Sequence, residues 1–292
     1  MSTVKRAKII LSIAILVLLT FLIITLKTQE FKKTEKPLII AMLDIGQGDA
    51  IYIQTPNGNN MLIDGGRDRT ILNELSSIMP FGKSTVNSLQ VSNPDLDHIG
   101  GFPFILNKYK VEQIISPGVN HDSLESFNQI EQIAKEKQIP ILKPKQDSVL
   151  LIDNENNITF KILWPEGNSR NWEANAGSMV GLLTYGTHKI LFTGDAPKEV
   201  EDQIIGKYKN ELQNIDILKI GHHGSRTSTG ENLIKNTNPR YAIISSGLNN
   251  RYGHPHKEVI ELLNKYKINT LNTAVDGRII CEVWINKETT CK

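Results

Sequence analysis

The sequence predicts a mixed α/β fold of two packed β-sheets flanked by helices, preceded by a single apolar helix at the N-terminus. Three observations predict it. Short strand-like runs bounded by turn residues recur along the whole chain. Helical patterns are interspersed among them rather than gathered at one end. An apolar stretch, Ile9 to Leu26, is broken only by Ser12, Thr20 and Thr25.

That stretch comes first in order. Its residues, at ~1.5 Å each, span roughly 27 Å, about the thickness of a bilayer's hydrocarbon core. Lys5, Arg6 and Lys8 precede it, and Leu26-Lys27-Thr28-Gln29 offers no small-residue cleavage site. The expectation is an uncleaved transmembrane signal anchor over 9–26, after a short segment 1–8. Residues 27–37 read as a polar linker, 38–286 as one soluble domain, and 287–292 as a tail. Within the domain, Leu38–Leu43, Ala50–Thr55 and Asn60–Ile63 read as successive strands, with Pro56-Asn57-Gly58-Asn59 as a hairpin turn. Val86–Ser92 is a fourth strand. A helix opens at Asp122, with Leu124, Phe127 and Ile130 on one face. Ser148–Ile152, Ile158–Trp164, Met179–Tyr185, Ile190–Thr193 and Ile215–Ile220 are strand-like, and Pro197–Lys209 is helical. Val259, Leu262, Leu263 and Tyr266 mark a last amphipathic helix.

Bulk composition excludes several classes. The chain has 292 residues, 39% hydrophobic and 22% charged, so it can build a sizeable core and is not disordered. A net charge of +2 is too small to argue for a nucleic-acid partner on electrostatic grounds. The two cysteines, Cys281 and Cys291, exclude a zinc ribbon. They are either a disulfide, permitted outside the cytoplasm, or two free thiols.

Three clusters carry chemistry. Ser92-Asn93-Pro94-Asp95-Leu96-Asp97-His98-Ile99-Gly100-Gly101 closes a strand. Two carboxylates and an imidazole within four residues can converge on one ion, and oxygen with imidazole nitrogen suits zinc, manganese or iron. Thr193-Gly194-Asp195 closes another strand. Gly221-His222-His223-Gly224-Ser225 closes a third. Each alone could be a capped turn; together they point to a metal centre.

In this order the clusters resemble the metallo-β-lactamase superfamily, and within it the hydrolase domain of ComEC-type DNA-uptake proteins. The resemblance extends to Leu43-Asp44-Ile45-Gly46-Gln47-Gly48-Asp49-Ala50 and to Leu62-Ile63-Asp64-Gly65-Gly66. It also takes in Ser245-Ser246-Gly247 with Asn249, the run Arg251-Tyr252-Gly253-His254-Pro255, and Thr273 with Asp276-Gly277. It implies a four-layer αβ/βα sandwich with one or two divalent ions, zinc or manganese, at the strand ends. Asp97, His98, Asp195 and one of His222 and His223 would form one site. Adjacent residues on an extended segment point oppositely, so one histidine of the pair would bind metal and the other contact substrate or support a ligand. The second site would rest on Asp95, a bridging Asp195 and Asn93. The family usually has histidine where this chain has Asn93, and a further ligand position falls near Asn175 or Ser178.

The implied reaction is metal-assisted hydrolysis, with Asp97 and His254 catalytic and Asn249, Arg251, Tyr252 and His254 binding a phosphoester, DNA among the candidates. Asp49 either holds a ligand histidine in its tautomer or caps a turn, and Asp64 positions the adjacent loop. The resemblance also admits a separate DNA-uptake channel protein as partner and an extracytoplasmic catalytic domain on the cytoplasmic membrane. Hydrolysis of another ester or a lactone, and a non-catalytic metal-binding tether, are the competing readings.

Overall fold

The structure is a computed structural model that describes residues 13–20, 36–119, 125–167 and 172–292. Residues 1–36 and 37–292 form separate units. In the first, residues 13–20 are helical (α1). The rest of the expected span at 9–26 lies outside the described residues, as does the helix start expected at Asp122. Among the described residues no helix is long and apolar enough to cross a membrane.

The second unit is built on two sheets. The strands of sheet 1 are β1 (Leu38–Met42), β2 (Ile51–Gln54), β3 (Asn60–Ile63), β4 (Thr85–Gln90), β5 (Lys110–Ile115), β6 (Ile141–Leu142), β14 (Ile279–Val283) and β15 (Thr290–Cys291). Sheet 2 holds β7 (Val149–Asp153), β8 (Ile158–Trp164), β9 (Val180–Tyr185), β10 (His188–Phe192), β11 (Ile217–Lys219), β12 (Tyr241–Ile244) and β13 (Asn269–Asn272). The strand orders are β15-β14-β1-β2-β3-β4-β5-β6 and β13-β12-β11-β10-β9-β8-β7. Strands β3 to β6 run parallel, as do β10 to β13.

The period of two along each strand divides the core into layers. On β1, Leu38, Ile40 and Met42 enter the layer between the sheets with Phe160, Ile190 and Phe192. Ala41 and Leu43 turn to the opposite face. There they meet Ile71 and Leu75 of α2 (Ile71–Ile78), and Phe102 and Ile105 of α4 (Phe102–Lys108), which follows the single turn α3 (Leu96–Ile99). Phe127 and Ile130 of α5 (Glu125–Glu136) join them, as the helical spacing predicts. The outer face of sheet 2 is covered by α6 (Lys198–Tyr208), α7 (Glu231–Thr237) and α8 (Lys257–Lys265), through Val200, Ile204, Leu233, Val259 and Leu263. A last short helix, α9 (Thr273–Asp276), follows β13. The result is the four-layer αβ/βα sandwich expected.

Two expectations change. Residues 287–292 are not only a tail: β15 pairs with β14, and Cys281 and Cys291 form a disulfide across that pair. Residues 221–224 are not extended. They form a tight left-handed turn with His222 and His223 at φ 47° and 55°, so the argument that neighbouring side chains must diverge does not apply to them.

Candidate metal centre

Loops at one end of the strands build the site, where open α/β sheets usually bind ligands. Asn93 to His98 follow β4, Asp195 follows β10, His222 and His223 follow β11, and His254 follows β12. The β1–β2 loop completes it. Gly48 has φ +130°, and a Cβ there would lie 2.1 Å from the Asp97 carbonyl oxygen. Only glycine lets the loop come so close, and the Asp49 N–H then donates to that same carbonyl at 3.2 Å.

The side chains meet at Asp195 Oδ2. His98 Nε2 lies 3.1 Å from it, His223 Nε2 3.6 Å and His222 Nε2 3.8 Å. His223 Nε2 also lies 3.5 Å from Asp97 Oδ2. Ligand atoms ~2.0–2.2 Å from a tetrahedral ion stand about 3.4 Å apart, so these spacings fit one. Nε2 of His98 and of His223 is buried without a hydrogen-bond partner, the condition of a donor atom aimed at an ion. Asp97, His98 and His223 form one of three groups, among the described residues, whose ligand atoms lie within 4.8 Å of one another.

The other two groups bring in Asp49 and Asp64, which engage the opposite nitrogens of the same rings. His98 Nδ1 donates to Asp64 Oδ2 at 2.8 Å, and Asp64 is fixed in turn by the Ser92 N–H at 2.7 Å. Asp64 therefore fixes the loop after β4 through Ser92, as expected, and holds the His98 ring as well. His223 Nδ1 lies 3.0 Å from the Ser245 carbonyl and 3.3 Å from Asp49 Oδ1. Of the two readings of Asp49, the structure supports the one that holds a histidine. Such partners select the tautomer that leaves Nε2 free.

Lys219, at the end of β11, was not anticipated. Its buried ammonium donates to the Gly194 carbonyl at 2.9 Å, pairs with Asp49, and lies 3.7 Å from Asp195 Oδ1. A lysine set between Leu218 and Ile220, two residues before Gly221-His222-His223, was the available signal. Burial alone would raise Asp49, but Lys219 and His223 hold it down to about 2. Asp195 is held well below its usual range against the same burial, by His98, His223 and Lys219. Burial disfavours a charged His223, yet Asp195 and Asp49 push it up to about 9. His98 likewise rises well above its ordinary value, because Asp195 and Asp64 outweigh burial. The cluster is thus rich in negative charge and gathers cations; a divalent ion would displace the imidazole protons.

The structure also places the remaining expected residues. Asp95 lines the cavity beside Asp97, Asp195, His222, His223, His254, Tyr252 and Gln47. Asn93 is fully buried. Its oxygen accepts from the Asp95 N–H at 2.8 Å and its amide donates to Asn175 Oδ1 and Ser178 Oγ at 2.9 and 3.1 Å. The three polar residues expected near a second ion are therefore bonded to one another. Asn249 and Arg251 are exposed and stand outside the cavity lining. Asn250 instead organises their loop, binding Gly247, Tyr252 and His254. His254 is pushed down to about 4 by burial and by His222 and His223, so its ring is neutral.

A sequence model of the metallo-β-lactamase superfamily matches residues 43–247. ComE operon protein 3 of Bacillus subtilis (strain 168) is 33% identical over 257 residues, covering 82% of this chain and 32% of that protein. Competence protein ComA of Neisseria gonorrhoeae is 27% identical over 249 residues, covering 84% and 32% respectively. The chain spans about a third of the length of these relatives. Igni18, a metallo hydrolase from the archaeon Ignicoccus hospitalis, shares the fold with TM-score 0.54 at 13% identity, over 87% of this chain and 98% of that one.

Proposed function

The chain belongs to the metallo-β-lactamase superfamily, with competence-type relatives, and from that premise we propose that it is a metal-dependent phosphodiesterase. The observation that carries this is the convergence of imidazole and carboxylate donors on Asp195 Oδ2 in an open polar cavity. His98, His223, Asp97 and Asp195 hold one divalent ion, zinc or manganese. His223 takes the ligand place because Asp49 and Ser245 orient it, whereas His222 is part-exposed toward the cavity. A second ion would have Asp95 and Asp195, since Asn93 is engaged elsewhere, so it binds more weakly.

The bound ion supplies Lewis acidity, activating water and polarising a phosphoryl oxygen. The chain's own groups do the rest. Asp97 is the ligand carboxylate most open to the cavity and orients the attacking water. Gln47 Nε2 is buried without a partner while its oxygen is held by the Gly247 N–H, so it can donate to a phosphoryl oxygen. His254 offers a ring nitrogen, Nδ1, equally unpartnered. Its neutral ring does not repel a neighbouring cation.

Several further readings are part of the same proposal. Residues 9–26 anchor the chain in the cytoplasmic membrane, with the catalytic unit outside. The Cys281–Cys291 disulfide supports that compartment. DNA is a candidate substrate and a separate uptake-channel protein a candidate partner, in line with the competence-type relatives.

The test uses residues 37–292, a compact unit. They are assayed on bis-p-nitrophenyl phosphate and single-stranded DNA with manganese, zinc or chelator. We expect metal-dependent cleavage that His98→Ala lowers at least a hundredfold, in keeping with loss of electrostatic stabilisation at the reacting centre. A folded, metal-loaded protein that cleaves no phosphodiester would refute the reading and move weight to another ester or to a non-catalytic tether.

A further inference from the structure

The cavity measures about 190 Å³, smaller than the ~300–1,000 Å³ of sites that enclose a whole small molecule. It accommodates a reacting group, so the rest of a substrate must lie across the rim. The rim is built of stacked plates. The Arg251 guanidinium carbon lies 4.8 Å from the centroid of the Tyr252 ring. Tyr252 stacks on His254 at 5.6 Å with an interplanar angle of 22°. His254 meets His222 edge-on at 5.4 Å. A column of π surface therefore runs from solvent to the wall of the metal cluster.

The column is set in advance. Asn250 Oδ1 accepts from the Tyr252 and His254 N–H groups at 3.1 and 3.0 Å. Its amide donates to the Gly247 and His254 carbonyls at 2.9 and 2.5 Å. Arg251 Nη2 donates to the Tyr252 hydroxyl at 2.6 Å, which fixes the guanidinium to the ring. Both outer plates are exposed, Tyr252 by 44%. Packing does not require an exposed arginine pinned on an exposed tyrosine beside a phosphoester site.

We propose that the Arg251–Tyr252 pair is a stacking platform for an unpaired base of a single-stranded nucleic acid whose phosphodiester enters the cavity. The proposal rests on the phosphodiesterase reading above and names its substrate class. A planar cation suits a group in which an aromatic ring adjoins an anion, and the nucleotide is that group. Duplex bases are stacked on their neighbours, so only a single strand offers a free face. The net charge of +2 supplies little overall attraction for a polyanion, and stacking on this pair adds a contact that salt does not screen.

The full chain, manganese-loaded, is titrated with hydrolysis-resistant phosphorothioate strands. One carries 2-aminopurine; the other is abasic with equal length and charge. Wild type is expected to prefer the base-bearing strand and to quench 2-aminopurine emission. Arg251→Lys keeps the charge and loses the plane; Tyr252→Leu loses the ring. Each should weaken base-bearing binding about fivefold or more beyond its effect on the abasic strand, the lower end of one stacked base. Equal losses on both strands, or a wild type without base preference, would overturn the platform. Cleavage of bis-p-nitrophenyl phosphate distinguishes the two failures. Activity on that ester without base preference removes only the platform, whereas base-dependent quenching without any hydrolysis removes the phosphodiesterase.

Discussion

Lys219 is the residue whose removal should reveal most about how the centre is held. It is 1% exposed and sits between Asp49 and Asp195. Removing one member of a buried ion pair leaves the other charge uncompensated, at a cost of about 3–5 kcal/mol. Lys219→Met should therefore lower the urea midpoint of the metal-free protein sharply. Adding Asp49→Asn should recover part of the loss, a coupling that a double-mutant cycle reads directly. If the double variant is no better than the sum of the singles, Lys219 does not act through Asp49. Lys219 also marks a limit of local sequence pattern. Asp95, Asp97, His98, Asp195 and the His-His pair were legible because ligand-type residues crowd at strand ends beside glycines. Lys219 and the donor role of Gln47 were not, because each acts on a partner far away in sequence. Gln47 meets Gly247 and Lys219 meets Asp49, and no local pattern announces such a pair.

Among the elements, α6 acts on the site through Glu201. This buried carboxylate accepts from the Thr229 and Gly230 N–H groups at 2.7 and 2.8 Å. It thereby ties down the segment that follows the His222–His223 turn. Burial pushes it up to about 7, from an ordinary 4.5, despite those two bonds. Between pH 4.5 and 7 the folded state keeps a proton that the unfolded chain releases. Glu201 therefore makes stability fall as pH rises through that window. Glu201→Gln should flatten this part of the pH–stability curve, read as the difference between wild type and variant in metal-free denaturation. An unchanged slope would show that Glu201 titrates normally. Element prediction succeeded where turn residues bound an apolar run: β3 and β8 match their expected bounds, and most other ends shift by one or two residues. Strands β5, β6, β12, β13, β14 and β15 were passed over; β6 and β15 are two residues long, too short to show a pattern. The His222–His223 segment misled for a different reason. Its backbone turns left-handed at two successive histidines, where the strand pattern of Ile215–Ile220 suggests a chain that stays extended.

At the scale of the whole molecule, the disulfide and the metal centre are separable. Cys281–Cys291 joins β14 to β15 at the edge of sheet 1, while the ligands hang from β4, β10 and β11. Cys291→Ser should cost about 2–3 kcal/mol of stability and leave metal stoichiometry unchanged by elemental analysis. A loss of bound metal would show that the edge and the centre are coupled. The layered architecture was legible from the mixture of strands and helices together with the motif order. What closes the layers was not. Strand β14 pairs directly with β1, so the first strand of the domain lies between its second and its last but one. The Ser245 hydroxyl likewise donates to the Gly48 carbonyl across 197 positions of sequence. A ribosome makes the chain from its N-terminus, and domains fold as units. The loop bearing Asp49 cannot settle against its partners until residues 245–283 have emerged. A half-made polypeptide therefore carries the early members of the cluster without the partners that fix them, and the cluster is completed only when synthesis of the domain is.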